Sequence, residues 1–572
     1  MKKRHYGLLV LCVVSLVTMA SCIGGNENSS SSQTSSNSQT STNSQTSSNS
    51  TISKTNEDFQ KASTTYNGNQ LNVNTLYNND KHPHINPHEE QHVLVVPFGF
   101  TNCASVQTQE NRDNIETTFV GNQADMDANK GWISVADYYN RSSFGKSTFN
   151  ATVLPNWVVY PGTDSDFYDV AKGTGAGLYA AKWIRDWYLD EYAKDNHGSL
   201  GENAQPLTYY DHDSDGYLDF VWIVYSRNEI KQEATRFWWA YVTSNSTPIP
   251  NKKEPTVNTL GWASINFMKS NYNGFDAHTF VHETGHGYGL NDYYDYNNQW
   301  SPMGGIDMMD HNLGDHSAYS KFTLGWLSPL VVDDSAVITL KPTTISGDCF
   351  IIPSPNYNGT AFDEYMMVEF MAPLGLAQKD YTRGYDSVSG YSDYGVRISH
   401  VDARVVESST ATSEGYLTNI KDIYEKGKTI RVSNSKNGRD NNPTDTNAFP
   451  VKDSSGKISW NSYAESMIFE STFDVKDNIT TASTNSASNN SLFKAGARFS
   501  LEDGKTWTNY MPSRSNLWNK AKTMTGGTIP NKQKYTIDEN CTFNYRIRVN
   551  KINVDKNNPE NSTATITVEK IK

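Results

Sequence analysis

The fifteen residues VHETGHGYGLNDYYD, positions 281–295, restrict the fold more than any other stretch of the chain. His282 and His286 stand four apart, so on an α-helix both imidazoles share one face, one turn apart, as two metal ligands require. Glu283, beside the first histidine, can reach a metal-bound water without being a ligand. Gly287 and Gly289 then stop the helix, because glycine takes the positive φ that turns a chain back. Asp292, six residues after His286, is placed to return a third ligand to the same metal. Two neutral imidazoles and one carboxylate leave the fourth tetrahedral position for water, as a catalytic zinc needs. The five-residue core of this pattern is only suggestive, since an exposed helix can carry two histidines by chance. Gly289 and Asp292 are what weaken that alternative.

The surrounding pattern supplies a scaffold. HVLVVPFGF (92–100) and YLDFVWIVYS (217–226) read as strands: short, mostly apolar and rich in β-branched and aromatic residues. ISVADYYNRSSFG (133–145), GAGLYAAKWIRDWYLDEYAK (175–194) and GFDAHTFVHETGHGYG (274–289) read as helices. Strands alternating with helices predict an α+β catalytic domain over residues 91–330. Beyond Pro329 the segments AVITL, CFIIP, YMMVEFM, YGVRISHVDARV, FNYRIRVNKINV and TATITVEK are strand-like and helical signals are scarce. Residues 331–480 are expected to form a β-rich, sandwich-like domain on the catalytic core. Residues 481–572 are expected to form a C-terminal β module, divided off near TTASTNSASNNS.

The N-terminal end predicts export. MKKRHYG is basic, LLVLCVVSLVTMA is apolar at signal-peptide length, and Ala20-Ser21-Cys22 follows as in a lipobox. The expectation is a lipoprotein signal over 1–21 with Cys22 lipidated; the alternative is an ordinary secretory signal with an incidental cysteine. Residues 22–53 form a Ser/Thr/Asn/Gln-rich tether with too few apolar groups to order itself. Residues 54–90 are a candidate short propeptide or linker. After the N-terminus no stretch approaches the roughly 20 apolar residues of a membrane span, so any membrane contact is through the lipid anchor. The formal net charge is -13 and no Lys/Arg cluster stands in the body, which disfavours nucleic acid. Apart from Cys12 and Cys22, only Cys103, Cys349 and Cys541 remain, too few for a disulfide framework.

Downstream lies SPMGGIDMMDHNLGDHSAYSKFTLGWLSP (301–329). A methionine-bearing turn after such a histidine motif marks the metzincin clan, with Met308 or Met309 in that role. The whole pattern resembles the immune inhibitor A-type secreted bacterial metallopeptidases. Their zinc motif, an aromatic and a second Asp included, is matched by His282 through Asp295. Their later segment is matched by MMDHNLGDHSAYSKFTLGWLSP, and SVADYYNRSSFGK, YYDHDSDGYLDFVWIVY, EYMMVEF and GVRISHVDAR resemble other blocks in the same order. The likeness spans residues 91 to about 404.

That resemblance implies a metzincin-like, zinc-dependent endopeptidase. Carried over by position, His282, His286 and Asp292 bind one catalytic zinc, Glu283 is the general base, and Met309 becomes the Met-turn residue. Asp295 is left as support behind the ligands. Tyr319 and His316 are both candidates to stabilise the transition state, and spacing does not choose between them. In DHDSDGYLDF, Asp211, Asp213, Asp215 and Asp219 surround Gly216 and suit a structural calcium ion, although Trp222 at the twelfth position excludes an EF-hand. A solvated acidic turn is the equal alternative. Cys103 could block zinc in a latent precursor, but a buried apolar cysteine is the simpler reading.

The expected function is thus a surface-anchored endopeptidase that hydrolyses proteins or peptides outside the cell. Its rival is a catalytically inert surface adhesin or ligand-binding lipoprotein on a peptidase fold. An intact Glu283 favours the enzyme, because a pure binder needs no base beside the metal.

Overall fold

Strand β1 (Glu90–Phe100) is an inner strand of a six-stranded sheet. Strand β2 (Thr148–Val153) flanks it on one side and β3 (Phe220–Tyr225) on the other, both parallel to it. A short strand at Val158–Tyr160 also pairs with β1. At the far side β4 (Tyr241–Ser244) forms the edge, antiparallel to β5 (Thr259–Ser264), which lies parallel to β3. The computed structural model describes residues 52–71, 85–122, 131–230, 237–244, 248–269, 275–294, 303–355, 357–382, 388–403, 487–500 and 543–571, with isolated positions and short strands between them. The signal segment, Cys22, nearly all of the tether, residues 72–84, Asp295 and Cys541 lie outside the described residues.

Both faces of this sheet are covered, which is why its strands read as continuous apolar runs rather than alternating ones. Helices α1 (Gln109–Val120) and α2 (Val135–Ser142) cover one face, α3 (Ala176–Tyr192) covers the other, and α4 (His278–Gly287) returns to the first. The period of two sorts the strand residues. Val93, Val95, Phe220, Trp222 and Val224 pack towards α2 and α4, whereas Leu94, Val96, Val221 and Ile223 pack towards α3. Trp222 also donates its indole N–H to Thr284 Oγ1 at 3.0 Å, fixing α4 on the sheet.

The second half of the chain is a β-sandwich. One sheet contains β7 (Cys349–Pro353), β8 (Glu364–Met371) and β9 (Gly395–Asp402), all antiparallel. The other contains β6 (Ala336–Leu340), β11 (Thr563–Lys570) and β10 (Tyr545–Asn553) in that order, with Arg498–Ser500 at the edge. Alternation again decides the packing. Phe350, Ile352, Met366, Val368 and Phe370 face Ile338, Ile547, Ile566 and Val568 of the other sheet. Cys349, Ile351, Tyr365 and Met367 join instead the core that holds α2 and α4. The β7–β9 sheet is therefore a middle layer. Because β11 pairs with β6, the division expected at residue 480 runs through one sheet.

The earliest described residues are built into this sandwich. Phe59 lies in its core; Val337 N–H donates to the Lys54 carbonyl at 2.9 Å, and Asn56 exchanges two side-chain hydrogen bonds with Thr339. Val331 N–H reaches Gln60 O and Ala62 N–H reaches Pro329 O, both at 2.8 Å. Further on, the fully buried Ile85 donates its N–H to the carbonyl of Gly287 at the end of α4.

Candidate metal centre

Helix α4 starts without a side-chain cap on Ala277; the Asp276 carboxylate accepts the His278 N–H instead, at 2.8 Å. The chain reverses at Gly289, whose φ is +93°, a conformation open to glycine at little cost. Leu290 N–H then reaches back to Gly285 O at 3.0 Å. Gly287 departs from expectation. It is the last helical residue and has no positive φ; what it supplies is space, since a Cβ there would lie 2.8 Å from the Phe220 ring and 2.9 Å from Ile85.

The reversal brings the three expected ligands together. His282 Nδ1 lies 2.7 Å from the Met308 carbonyl and His286 Nδ1 lies 2.8 Å from the Leu290 carbonyl. A carbonyl can only accept, so each Nδ1 carries hydrogen and each Nε2 is turned inward. Both Nε2 atoms converge on Asp292 Oδ1, at 3.0 and 3.2 Å. A tetrahedral zinc with bonds of about 2.0–2.1 Å spaces its ligand atoms about 3.3 Å apart. The donor set therefore fits zinc in kind and in spacing. His282, Glu283 and Asp292 are buried, while the His286 side chain remains 21% exposed, marking the open side.

Charge in this cluster is mutually enforced. Burial works against a proton on His286, yet the Asp292 carboxylate holds its pKa up to about 9. Burial pushes the Asp292 carboxyl up, and the His286 and His282 imidazoles overcome it, holding the group well below the usual carboxylate range. Glu283 is pushed up by burial against the pull of both histidines, and it accepts a hydrogen bond from the backbone of Val242 on the edge strand β4.

A short helix, α5 (Met308–His311), forms the floor. Asp307 caps it: one carboxylate oxygen accepts Met309 N–H at 2.8 Å, and the other accepts Ser317 N–H at 3.0 Å, ahead of α6 (Ala318–Thr323). Met309 is fully buried under α4, and its carbonyl accepts Tyr293 N–H at 2.7 Å, tying the post-ligand loop to the floor. The floor is itself held from the middle layer. Arg397 on β9 grips Glu369 on β8 through two hydrogen bonds, of 2.8 and 3.0 Å, and donates to Ile306 O, while Glu369 accepts Ala318 N–H.

Other expected residues fall differently. Tyr319 on α6 and His316 are both buried, at 1% and 3% exposure. His316 is packed among Tyr138, Tyr139 and Trp326 with its pKa pushed well down by burial. Asp211, Asp213 and Asp215 come together as a second group; Asp219 stands outside it, its carboxylate accepting His212 N–H at 3.0 Å. Burial raises Asp215 to about 6 and Asp219 to about 7. Cys103 is only partly buried and Cys349 fully so, and both are free thiols. Sequence reasoning missed Asp307, Gly285 and the β4 contact. Of these only Asp307 had a local signal, an N-cap aspartate directly before MMDH.

Comparison with known proteins returns no matching family model, and no curated protein matches the chain at a significant level.

Proposed function

We propose that this protein is a zinc-dependent endopeptidase of the metzincin, immune inhibitor A type. The observation that carries the reading is the convergence of His282 Nε2, His286 Nε2 and Asp292 Oδ1 beside the buried carboxylate of Glu283. Zinc held by these three atoms would lower the pKa of a bound water and polarise a peptide carbonyl. Glu283 takes the water's proton on its carboxylate and returns it to the leaving amine. Its burial raises its pKa, which favours the uptake of that proton. Met308 O and Leu290 O hold the two imidazoles in the tautomer that ligation needs. Edge strand β4 lies next to Glu283 and suits an extended peptide that pairs along it.

The same reading extends to the rest of the molecule. The substrates are proteins or peptides outside the cell, reached from a surface anchor at Cys22, and the acidic turn at Asp211, Asp213 and Asp215 takes a structural calcium ion. No helix among the described residues is long and apolar enough to cross a membrane. The deciding experiment is N-terminal profiling of peptides released from a general protein substrate, with and without chelator, alongside metal analysis. Release that chelator abolishes supports the enzyme. Bound zinc with no release supports the inert binder, and no bound zinc sinks the enzyme reading.

A further inference from the structure

The connection between β8 and β9 does not stay in the sandwich. It carries a short helix, α7 (Ala377–Thr382), and this places Asp380, fully buried, against the catalytic half of the molecule. Three separate segments donate to that one carboxylate. Trp132, ahead of α2, gives its indole N–H to Oδ1 at 2.7 Å; His278, the first residue of α4, gives Nε2–H to the same oxygen at 3.2 Å; Gly314, just past α5, gives its N–H to Oδ2 at 2.5 Å. The His278 ring is enclosed further. Its Nδ1 lies 2.6 Å from Asp276 Oδ1, Trp132 stacks on it at 3.6 Å, and Tyr385, from the same connection as Asp380, lies 4.6 Å away. Tyr385 also bonds the next residue of α4, Thr279, through its hydroxyl at 3.0 Å.

The consequence is geometric. His278 is one turn ahead of His282, and Gly314 is three residues past α5. Helix α4 is thus held to the floor segment at two points: directly, through His282 Nδ1 and Met308 O, and indirectly, through His278, Asp380 and Gly314. A helix held at one point can swing about it; held at two, its angle is fixed. Burial alone would strip His278 of its proton, but Asp276 and Asp380 raise its pKa to about 10, so the clamp is charge-assisted at neutral pH.

We propose that Asp380 is a positioning residue, a carboxylate lent by the β-rich region that fixes the angle between α4 and α5 and so the spacing of His282, His286 and Asp292. This rests on the zinc reading above and adds to it a part for the second half of the chain in building the site. Groups that orient metal ligands commonly carry 10–100-fold in metal affinity.

The test uses Asp380→Asn in the full chain, which keeps size and one acceptor but loses the charge and the second acceptor. Zinc affinity is measured by competition with a chelating indicator, and amide hydrogen exchange is measured on the metal-free protein. The expected result is a folded variant that binds zinc at least 10-fold more weakly, with faster exchange in residues 278–287 and 308–314. Val568→Ala, in the sandwich core far along the chain from the clamp, is the control; it should lose stability and keep zinc affinity. Wild-type affinity in folded Asp380→Asn would overturn the proposal, as would an equal loss in Val568→Ala. A wild type that binds no zinc would sink the functional reading instead, and unchanged exchange in Asp380→Asn would then overturn this one separately.

Discussion

Met309 Sδ lies 2.6 Å from the point where a Cβ on Gly285 would stand. Helix α4 and its floor therefore touch through a gap that only glycine leaves. Gly285→Ala should force the sulfur aside, at an overpacking cost of about 1–3 kcal/mol. Met309→Ala should cost about 2–5 kcal/mol through the cavity it opens. The double variant should be more stable than the sum of the two predicts, because each change relieves the other. Urea unfolding of all four proteins checks this, and strict additivity would mean that the two residues do not share the contact.

Glu283→Gln should keep zinc and lose peptide cleavage by about 10²–10⁴-fold, the usual contribution of a positioned acid–base group. Indicator competition and cleavage rates measured side by side decide it. Wild-type cleavage in the variant would remove Glu283 from the mechanism.

Arg397 and Glu369 are both nearly sealed from water, at 4% and 3% side-chain exposure. Arg397→Met leaves a buried carboxylate uncompensated and should cost about 3–5 kcal/mol. Adding Glu369→Gln removes that charge while keeping an acceptor for Ala318 N–H, so the double variant should recover much of the loss. Thermal unfolding of the single and double variants is the measurement.

His278 sets a direction for the pH dependence. Its folded pKa of about 10 stands above the ordinary value of 6.5, so the folded state binds the proton more tightly. The resulting stability is fully present below pH 6.5 and is lost as pH rises through 10, with a limiting slope of about 1.4 kcal/mol per pH unit for one proton. Tyr385, raised to about 12 by burial, stays neutral across that window. His286, held at about 9, adds a slope of the same sign up to that pH, so in denaturant titrations of the metal-free protein His278→Gln should reduce the slope between pH 7 and 9 and remove it between 9 and 10. An unchanged slope would mean that another group is responsible.

The ligand spacing and the strong elements were legible in the sequence because they rest on local periodicity. Helix α4, β7 and β11 follow from three-to-four-residue and two-residue patterns, and the turn at Gly289 from a single special φ. What was not legible depends on contacts far apart in the chain. Asp380 meets His278 across 102 positions and Trp132 across 248, and no local pattern encodes either. The sheet that crosses the division expected at residue 480 was hidden for the same reason: β11 reads locally as the end of a separate module, yet it hydrogen-bonds β6. Gly285 was hidden as an unspecified letter inside the histidine motif. Its requirement comes from Met309, 24 residues later in the chain.

The stitching of residues 54–62 into the sandwich gives the molecule a load path. A pull from the N-terminal side reaches Lys54, Asn56, Gln60 and Ala62 first, and their hydrogen bonds to Val337, Thr339, Val331 and Pro329 share the load. Val337 and Thr339 lie in β6 and Val331 pairs with β7, so the load enters both sheets of the sandwich.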